Sequence, residues 1–106
     1  MEAKVEAKAN KETKAEKATE EYIRKEFEFS NKALQIANKK AVEKKEAKEF
    51  LEMANAYLND SLHFLKQKDY IRAVAAIYYA HAWLDAGARL GFWKLTKKEK
   101  RYFSTD

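Results

Sequence analysis

The chain has 106 residues, a formal net charge of +5 and no cysteine. This length suffices for one domain with a single core and is too short for two ordinary domains. The lack of cysteine excludes a disulfide framework, thiolate zinc ligands and a cysteine nucleophile. Proline is also absent, there are only two glycines, and 46% of the residues are hydrophobic alongside 37% that are charged. Because this composition suits amphipathic helices and contains few helix breakers, we predict an all-α fold.

The chain shows no sign of membrane insertion or export. No apolar segment approaches the roughly 20 residues needed to span a bilayer. The first residues, MEAKVEAKANKETK, lack the apolar core of a secretory signal. We therefore expect a soluble, cytoplasmic protein without a membrane partner.

Residues 1–20 are rich in charge and poor in large apolar side chains. They contain five lysines and five glutamates interspersed with alanine. This composition favours helix formation, and lysine and glutamate four residues apart can pair. We predict a helical leader that frays at its beginning and continues into the next helix; the alternative is a solvated, disordered tail.

Two amphipathic helices are predicted after this leader. Apolar and small residues recur at spacings of three and four from Ile23 to Ala41 and again from Ala47 to Leu65, which is the period of one helix face. One continuous helix would leave both stripes uncovered over some 70 Å at about 1.5 Å per residue, so we predict a turn within residues 38–45. The stripes are Ile23, Phe27, Ser30, Leu34, Ala37, Ala41 and Ala47, Leu51, Ala54, Leu58, Ser61, Leu65.

A third helix is predicted from Tyr70 to Gly91. Asp69 can cap its first turn, and Gly91 can end it as a C-terminal cap. The helix is apolar on nearly all sides, which is typical of the most buried helix of a bundle. The predicted architecture is a three-helix up-down-up bundle over residues 21–93, with an extended N-terminal helical leader (1–20) and a basic aromatic tail (94–106).

The third helix carries a polar row and an aromatic pair. His81, Asp85 and Arg89 are spaced i, i+4, i+8 and so share one side of the helix. We interpret them as a structural polar seam; the alternative is a row that anchors a ligand. Tyr79 and Trp83, also four apart, either cover the core or form a patch for a partner.

Gly87 is unusual because it lies inside this helix. Glycine there costs about 1 kcal/mol relative to alanine, so a structural reason is expected. Close approach of another helix is one explanation, and a ligand lying against the backbone is the other.

The C-terminal part of the third helix is the run YAHAWLDAGARLG (79–91), and it follows the runs EFLEMANAYLNDSLHFL and FLKQKDYIRAVAA. Together these runs resemble the archaeal family catalogued as domain of unknown function number 357. The resemblance covers roughly residues 20–93, and it implies a small up-down-up bundle of three helices. It implies no activity, cofactor or catalytic residue, and the leader and the tail lie outside it. The residues that carry it most specifically are Trp83, Leu84, Asp85, Gly87, Arg89, Leu90 and Gly91.

Catalytic and metal-binding patterns are absent from the sequence. His63 and His81 fall about 10 Å apart along an antiparallel hairpin that turns near residue 68, so they cannot share one ion. Glycine loops that cradle phosphate are also missing. We therefore expect no enzymatic activity, no metal and no cofactor.

Positive charge concentrates in two segments. Residues 39–48 have a net charge of +3 and residues 89–101 a net charge of +5, and an up-down-up bundle places them at the same end. Phe92, Trp93, Tyr102 and Phe103 also fall there. Lysines that meet phosphates and rings that stack on bases bind single-stranded nucleic acid. The candidate contacts are Lys39, Lys40, Lys44, Lys45, Trp93, Lys94, Lys97, Lys98, Lys100 and Arg101.

The favoured hypothesis is a non-catalytic helical protein-interaction module. Its leader could pair with a partner helix, and its aromatic edge could receive a second copy or another protein. Binding of single-stranded RNA or DNA through the basic aromatic end is the alternative.

Overall fold

The computed structural model describes residues 12–104 and contains three α-helices in that range. They are α1 (Lys14–Lys40), α2 (Lys45–Lys66) and α3 (Tyr70–Arg89), followed by a short 3-10 helix, Glu99–Tyr102. Residues 41–44 join α1 to α2 and residues 67–69 join α2 to α3, and such short connections make consecutive helices antiparallel neighbours. The predicted all-α, three-helix up-down-up bundle is confirmed, with its first turn inside the predicted range.

Helix α1 includes the last seven residues of the predicted leader. It begins after Thr13, whose Oγ1 accepts a hydrogen bond from the backbone N–H of Glu16 at 3.0 Å, the usual arrangement of an N-cap. The helix then runs without interruption through residues 20 and 21. No structural boundary therefore separates the leader from the bundle at that point. Residues 1–11 of the leader lie outside the described residues.

The turn between α2 and α3 is closed by Lys68. This residue has φ = +60°. Its N–H donates to the carbonyl of Leu65 at 3.0 Å, and the N–H of Asp69 donates to the carbonyl of Phe64 at 2.9 Å. These bonds form a Schellman motif, in which glycine is the usual residue at the left-handed position. Asp69 also caps α3, as predicted, because its Oδ1 accepts from the N–H of Arg72.

The core forms two clusters that follow the predicted stripes. Every residue of both stripes is buried or half-buried. Many of the fully buried positions are alanines, whose small side chains let the helices approach closely. One cluster is formed by Ile23, Leu58, Leu65, Ala73, Ile77 and Ala80, and the other by Ala33, Ala37, Ala47, Ala54, Leu84, Trp93 and Phe103.

The segment after α3 folds back onto the bundle. The backbone N–H of Lys94 donates to the carbonyl of Lys40, and that of Val42 donates to the carbonyl of Phe92, both at 2.9 Å. Phe103 is buried in the second cluster. The predicted tail is therefore not a separate unit up to residue 104, because its rings complete the core.

No helix between residues 12 and 104 has both the length and the apolar character required to cross a bilayer.

Candidate interaction surfaces

The end of α3 turns the chain back across the helix. Gly91 has φ = +76°, a conformation that glycine adopts without a Cβ penalty. The N–H groups of Gly91 and Phe92 donate to the carbonyls of Ala88 and Gly87, at 3.1 and 2.8 Å. These bonds form the C-terminal cap predicted for Gly91.

Trp93 is the side chain that this turn positions. It is 3% exposed, and its indole Nε1 donates to the carbonyl of Leu84 at 2.8 Å. A Cβ built on Gly87 would overlap with the six-membered ring of Trp93 and would lie only 2.8 Å from Nε1. Gly87 therefore makes room for an indole of the same chain, rather than for another helix or a ligand.

This burial corrects one predicted nucleic-acid contact. The Trp93 ring is enclosed against α3, so it presents no free face for stacking on a base. Phe103 is also buried, and Phe92 and Tyr102 are half-buried. The rings at the basic end mainly serve the core.

His81 lies where α1, α3 and the C-terminal segment meet. Its Nδ1 is 2.9 Å from the Oγ of Ser30, and its Nε2 is 2.9 Å from the carbonyl oxygen of Tyr102. Because a carbonyl can only accept, Nε2 carries the proton in the neutral ring and Nδ1 accepts from the Ser30 hydroxyl. The ring also stacks on Phe29, with centroids 5.6 Å apart. These contacts fasten the C-terminal segment to the bundle.

Asp85 and Arg89 continue the predicted polar seam. The Oδ1 of Asp85 lies 3.4 Å from the Nε2 of His81 and accepts a hydrogen bond from the backbone N–H of Ser104 at 2.8 Å. Arg89 is exposed in the last turn of α3, where a positive charge suits the helix dipole. The first two residues of the seam thus also bind the C-terminal segment.

Tyr79 and Trp83 lie in different environments. Tyr79 is 57% exposed and stacks on Tyr57 with ring centroids 4.6 Å apart. Trp83 is half-buried in an edge-to-face contact with Phe50, and its buried Nε1 has no hydrogen-bond partner in the structure. Tyr79 is therefore available to a partner, whereas Trp83 covers the core.

The side of α3 that faces away from α1 and α2 is exposed and apolar. Ile71 is 83% exposed and Leu90 is 61% exposed. The prediction that α3 is the most buried helix is confirmed, since six of its residues are buried against four in α1 and five in α2. No other described residue covers this side, however. We call it the outer face of α3; it consists of Ile71, Ala75, Tyr78, Tyr79, Ala82, Ala86 and Leu90, with Arg72 and Arg89 near its ends.

A hydrogen-bonded group borders the outer face on the side of α1. The hydroxyl of Tyr78 donates to the Oε1 of Glu26 at 2.9 Å and is also hydrogen-bonded to the hydroxyl of Tyr22. The bond with Tyr22, partial burial and the bond with Glu26 raise the pKa of the Tyr78 phenol well above its ordinary value. This group fixes the Tyr78 ring in position.

The predicted basic contacts are distributed over two grooves. Lys39, Lys98 and Arg101 line a groove of about 460 Å³ between α1 and the C-terminal segment. Lys44 and Lys45 line another, of about 440 Å³, beside the first turn. We call the first the basic groove; it is lined by Lys32, Gln35, Ile36, Lys39, Thr96, Lys98, Glu99, Arg101 and Tyr102. The predicted lysines Lys94, Lys97 and Lys100 are exposed.

Glu99 places a negative charge in the basic groove. Its Oε1 accepts from the backbone N–H of Thr96 at 2.9 Å and lies 3.3 Å from the Nζ of Lys40. The Thr96 N–H and the Lys40 ammonium lower the pKa of Glu99. Lys40, another predicted contact, is therefore paired within the protein.

Sequence reasoning missed two members of these sites. Ser30 is 51 residues from its partner His81, and no spacing rule relates residues on separate helices. Lys32 lies seven residues before Lys39, which places both on one side of α1. That spacing was a usable signal for a basic groove.

The described residues 12–104 contain no group of three or more histidine, aspartate or glutamate side chains that could hold a metal ion.

Comparisons with known proteins identify the family. No curated protein and no solved structure gives a significant match to the chain. The sequence model of the family described as "Protein of unknown function (DUF357)" matches residues 21–93. The match covers well over half of the 106 residues and spans all of the bundle after the first turns of α1. The chain therefore belongs to the DUF357 family.

Proposed function

We propose that the chain is a cytoplasmic, non-catalytic protein-interaction module that binds its partner through the outer face of α3. The observation that carries this proposal is the composition of that face. Only two of its nine residues are charged, and the other seven are alanine, leucine, isoleucine or tyrosine. Contiguous apolar patches on soluble proteins usually mark interaction sites.

The other two helices provide an internal comparison. With tyrosine counted as apolar, 11 of the 15 exposed positions of α1 and 10 of the 13 exposed positions of α2 are charged or polar. Because all three helices belong to the same molecule, they have the same solvent on their exposed sides. A difference of this size therefore favours a second protein surface, rather than water, as the neighbour of the outer face.

The geometry around His81 supports a non-catalytic role. Ser30, whose hydroxyl lies against His81 Nδ1, is 3% exposed. The other ring nitrogen is held by the carbonyl of Tyr102. Ser30 and His81 both line a groove of about 290 Å³ between α1 and α3. Because the serine is almost fully buried within the wall of this groove, the pair suits a structural function better than nucleophilic catalysis.

Site-specific photo-crosslinking tests the proposal. A photoreactive phenylalanine analogue placed at Ala82 samples the outer face, and the same analogue at Ala56, an exposed position of α2, is the matched control. We expect a single cross-linked protein product from Ala82 that disappears when excess unmodified chain competes. If neither a second copy nor another protein is captured from a cell extract at Ala82 in preference to Ala56, the proposal is wrong.

The basic groove supports a second candidate function, the binding of single-stranded nucleic acid. Lys32, Lys39, Lys98 and Arg101 converge on this groove, and lysine and arginine contacts to phosphate dominate non-specific affinity. The burial of Trp93 removes one stacking ring and leaves charge as the main contribution.

A charge-reversal experiment tests this candidate. The double variant Lys39→Glu/Lys98→Glu should abolish binding of a short single strand at low salt. The control Lys66→Glu/Lys25→Glu changes the net charge equally at exposed lysines away from the groove and should retain most of the binding. Equal losses in both variants would show that binding, if observed, does not use the groove.

A further inference from the structure

We infer that the partner of the outer face is a second copy of this chain, with the two α3 helices packed antiparallel about a two-fold axis between Ala80 and His81. This inference rests on the proposed function and names the partner of the same surface. It follows from the sequence of α3, from the sizes of the exposed side chains and from the area they present.

The sequence from Ile71 to Leu90 is partly symmetric about its centre. Six of its ten pairs of residues equally distant from the point between Ala80 and His81 are alike, among them Ile71 with Leu90 and Ala75 with Ala86. A two-fold interface uses the same patch on both copies, so the patch must be complementary to itself. In an antiparallel pair of helices, each residue lies opposite the residue equally far from the centre on the other copy. The ends of the outer face then meet as isoleucine against leucine.

Large and small side chains alternate where the two helices would meet. Tyr79 of one copy would lie opposite Ala82 of the other, and the symmetry repeats this contact on the opposite side of the axis. Ala75 and Ala86 flank it and allow close approach of the two backbones. The Tyr79 ring, already stacked on Tyr57, is held in one orientation and loses little freedom on association.

The exposed area is sufficient for a specific dimer. The outer face extends about 29 Å at 1.5 Å per residue from Ile71 to Leu90. With these two residues 83% and 61% exposed, and two half-exposed tyrosines between them, it presents roughly 700 Å² per copy, close to the approximately 800 Å² per partner of a standard interface.

Other parts of the chain fit this face less well. Residues 1–11, MEAKVEAKANK, contain only Met1 and Val5 as large apolar side chains and offer little apolar surface.

Arg72 of one copy would approach Arg89 of the other at the rim of the proposed dimer interface. The charge of Arg72 is offset by Asp69, whose Oδ2 lies 3.6 Å from its Nε, so this approach does not prevent association.

Sedimentation equilibrium of the whole chain over a range of concentrations tests the inference. We expect reversible formation of a species of twice 12.4 kDa. Ala82→Arg places a large charge at the centre of the interface and should weaken dimerisation at least ~30-fold, the loss typical of an interface hot spot. The matched variant Ala56→Arg makes the same change on the exposed side of α2 and should leave dimerisation unchanged. Circular dichroism checks that both variants stay folded.

Cysteine cross-linking tests the antiparallel register, since the chain has no cysteine of its own. The variants Ala75→Cys and Ala86→Cys should each fail to form a disulfide with themselves, because the two equivalent positions would lie about 16 Å apart along the helix axis. A mixture of the two variants should form a disulfide between them. Efficient self-linking of Ala75→Cys alone would indicate parallel packing and refute the inference.

The outcomes separate this inference from the proposed function. A chain that stays monomeric at every concentration overturns the inference. If Ala82 then still cross-links one other protein, competitively and in preference to Ala56, the interaction module survives with a different partner. If Ala82→Arg and Ala56→Arg weaken dimerisation equally, the dimer uses another surface and the inference fails.

Discussion

Replacement of Gly87 by alanine tests how the C-terminal segment is held on α3. In an ordinary helix interior this change stabilises, because alanine is favoured over glycine by about 1 kcal/mol. Here the added methyl group would overlap with the indole of Trp93. That indole lies against helix backbone on one side and is fixed by its bond to the Leu84 carbonyl, so it cannot move aside without leaving its site.

The magnitude follows from what Trp93 would lose. Removing a buried tryptophan from a core costs about 3–5 kcal/mol, a figure that includes its packing and its hydrogen bond. Displacing the ring without deleting it costs up to this amount, and the gain in helix propensity recovers about 1 kcal/mol. We therefore expect Gly87→Ala to lower the free energy of unfolding by about 2–4 kcal/mol.

Urea denaturation followed by circular dichroism measures this change, and a double-mutant cycle supplies the control. In a Trp93→Ala background the space above Gly87 is empty, so Gly87→Ala should then stabilise by up to about 1 kcal/mol. Tryptophan fluorescence gives a second readout, since a displaced Trp93 enters water and its emission shifts to longer wavelength.

The sign of the stability change caused by Gly87→Ala decides whether the indole of Trp93 packs on Gly87. If Gly87→Ala in the unmodified chain is as stable as the wild type or more stable, the indole does not lie on Gly87. The account of the C-terminal segment as part of the core would then be refuted.

Three further predictions concern the turn, the basic groove and the border of the outer face. Lys68→Gly should raise the free energy of unfolding by about 1 kcal/mol, measured by urea denaturation, because glycine adopts positive φ without strain; a loss of stability would contradict the cap geometry. The lowered pKa of Glu99 means that the unfolded chain binds a proton at higher pH than the folded chain. Its contribution to stability is therefore complete above the ordinary carboxyl range and disappears as the pH falls through the folded pKa, so the difference in melting temperature between wild type and Glu99→Gln should shrink on acidification and should not grow. Tyr22→Phe should lower the raised pKa of Tyr78, as measured by ultraviolet titration of tyrosinate; if the five tyrosines that remain of the original six titrate as before, the two phenols are independent.

The helices could be predicted from sequence because local rules determine them. The spacing of apolar residues between Ile23 and Leu65 and the cap at Asp69 each act within a few residues. The structure follows these signals closely. The predicted continuation of the leader into the first helix also agrees with the structure, where α1 runs through residues 20 and 21.

The C-terminal segment could not be predicted in the same way. Its position depends on contacts between residues far apart in sequence, such as Lys94 with Lys40 and His81 with Tyr102. Charge and aromatic content identified residues 94–106 as a binding tail, yet the same rings are equally suited to a core. Gly87 was the available clue, and it indicated a close neighbour without saying which one.

Of the outer face of α3, only Tyr79 was named from the sequence as part of a possible partner patch; the rest was missed for a different reason. A helix that is apolar all round is typical of deep burial, but in a bundle of three helices only two others are available to cover it. The remaining side of α3, from Ile71 to Leu90, stays exposed. An apolar pattern on all sides of one helix in a three-helix chain is therefore a sequence signal for an exposed apolar face, the feature on which the proposed interaction rests.

Salt distinguishes the two proposed surfaces, because it should strengthen association through the outer face and weaken association through the basic groove. The outer face carries two arginines and no acidic residue, and each copy has a net charge of +5. Self-association through this face brings like charges together and buries apolar area, so added salt should strengthen it by screening the repulsion. Binding of a single strand in the basic groove releases counterions and should weaken steeply under the same change. One salt series on the unmodified chain therefore assigns any observed association to one surface or the other before a residue is altered.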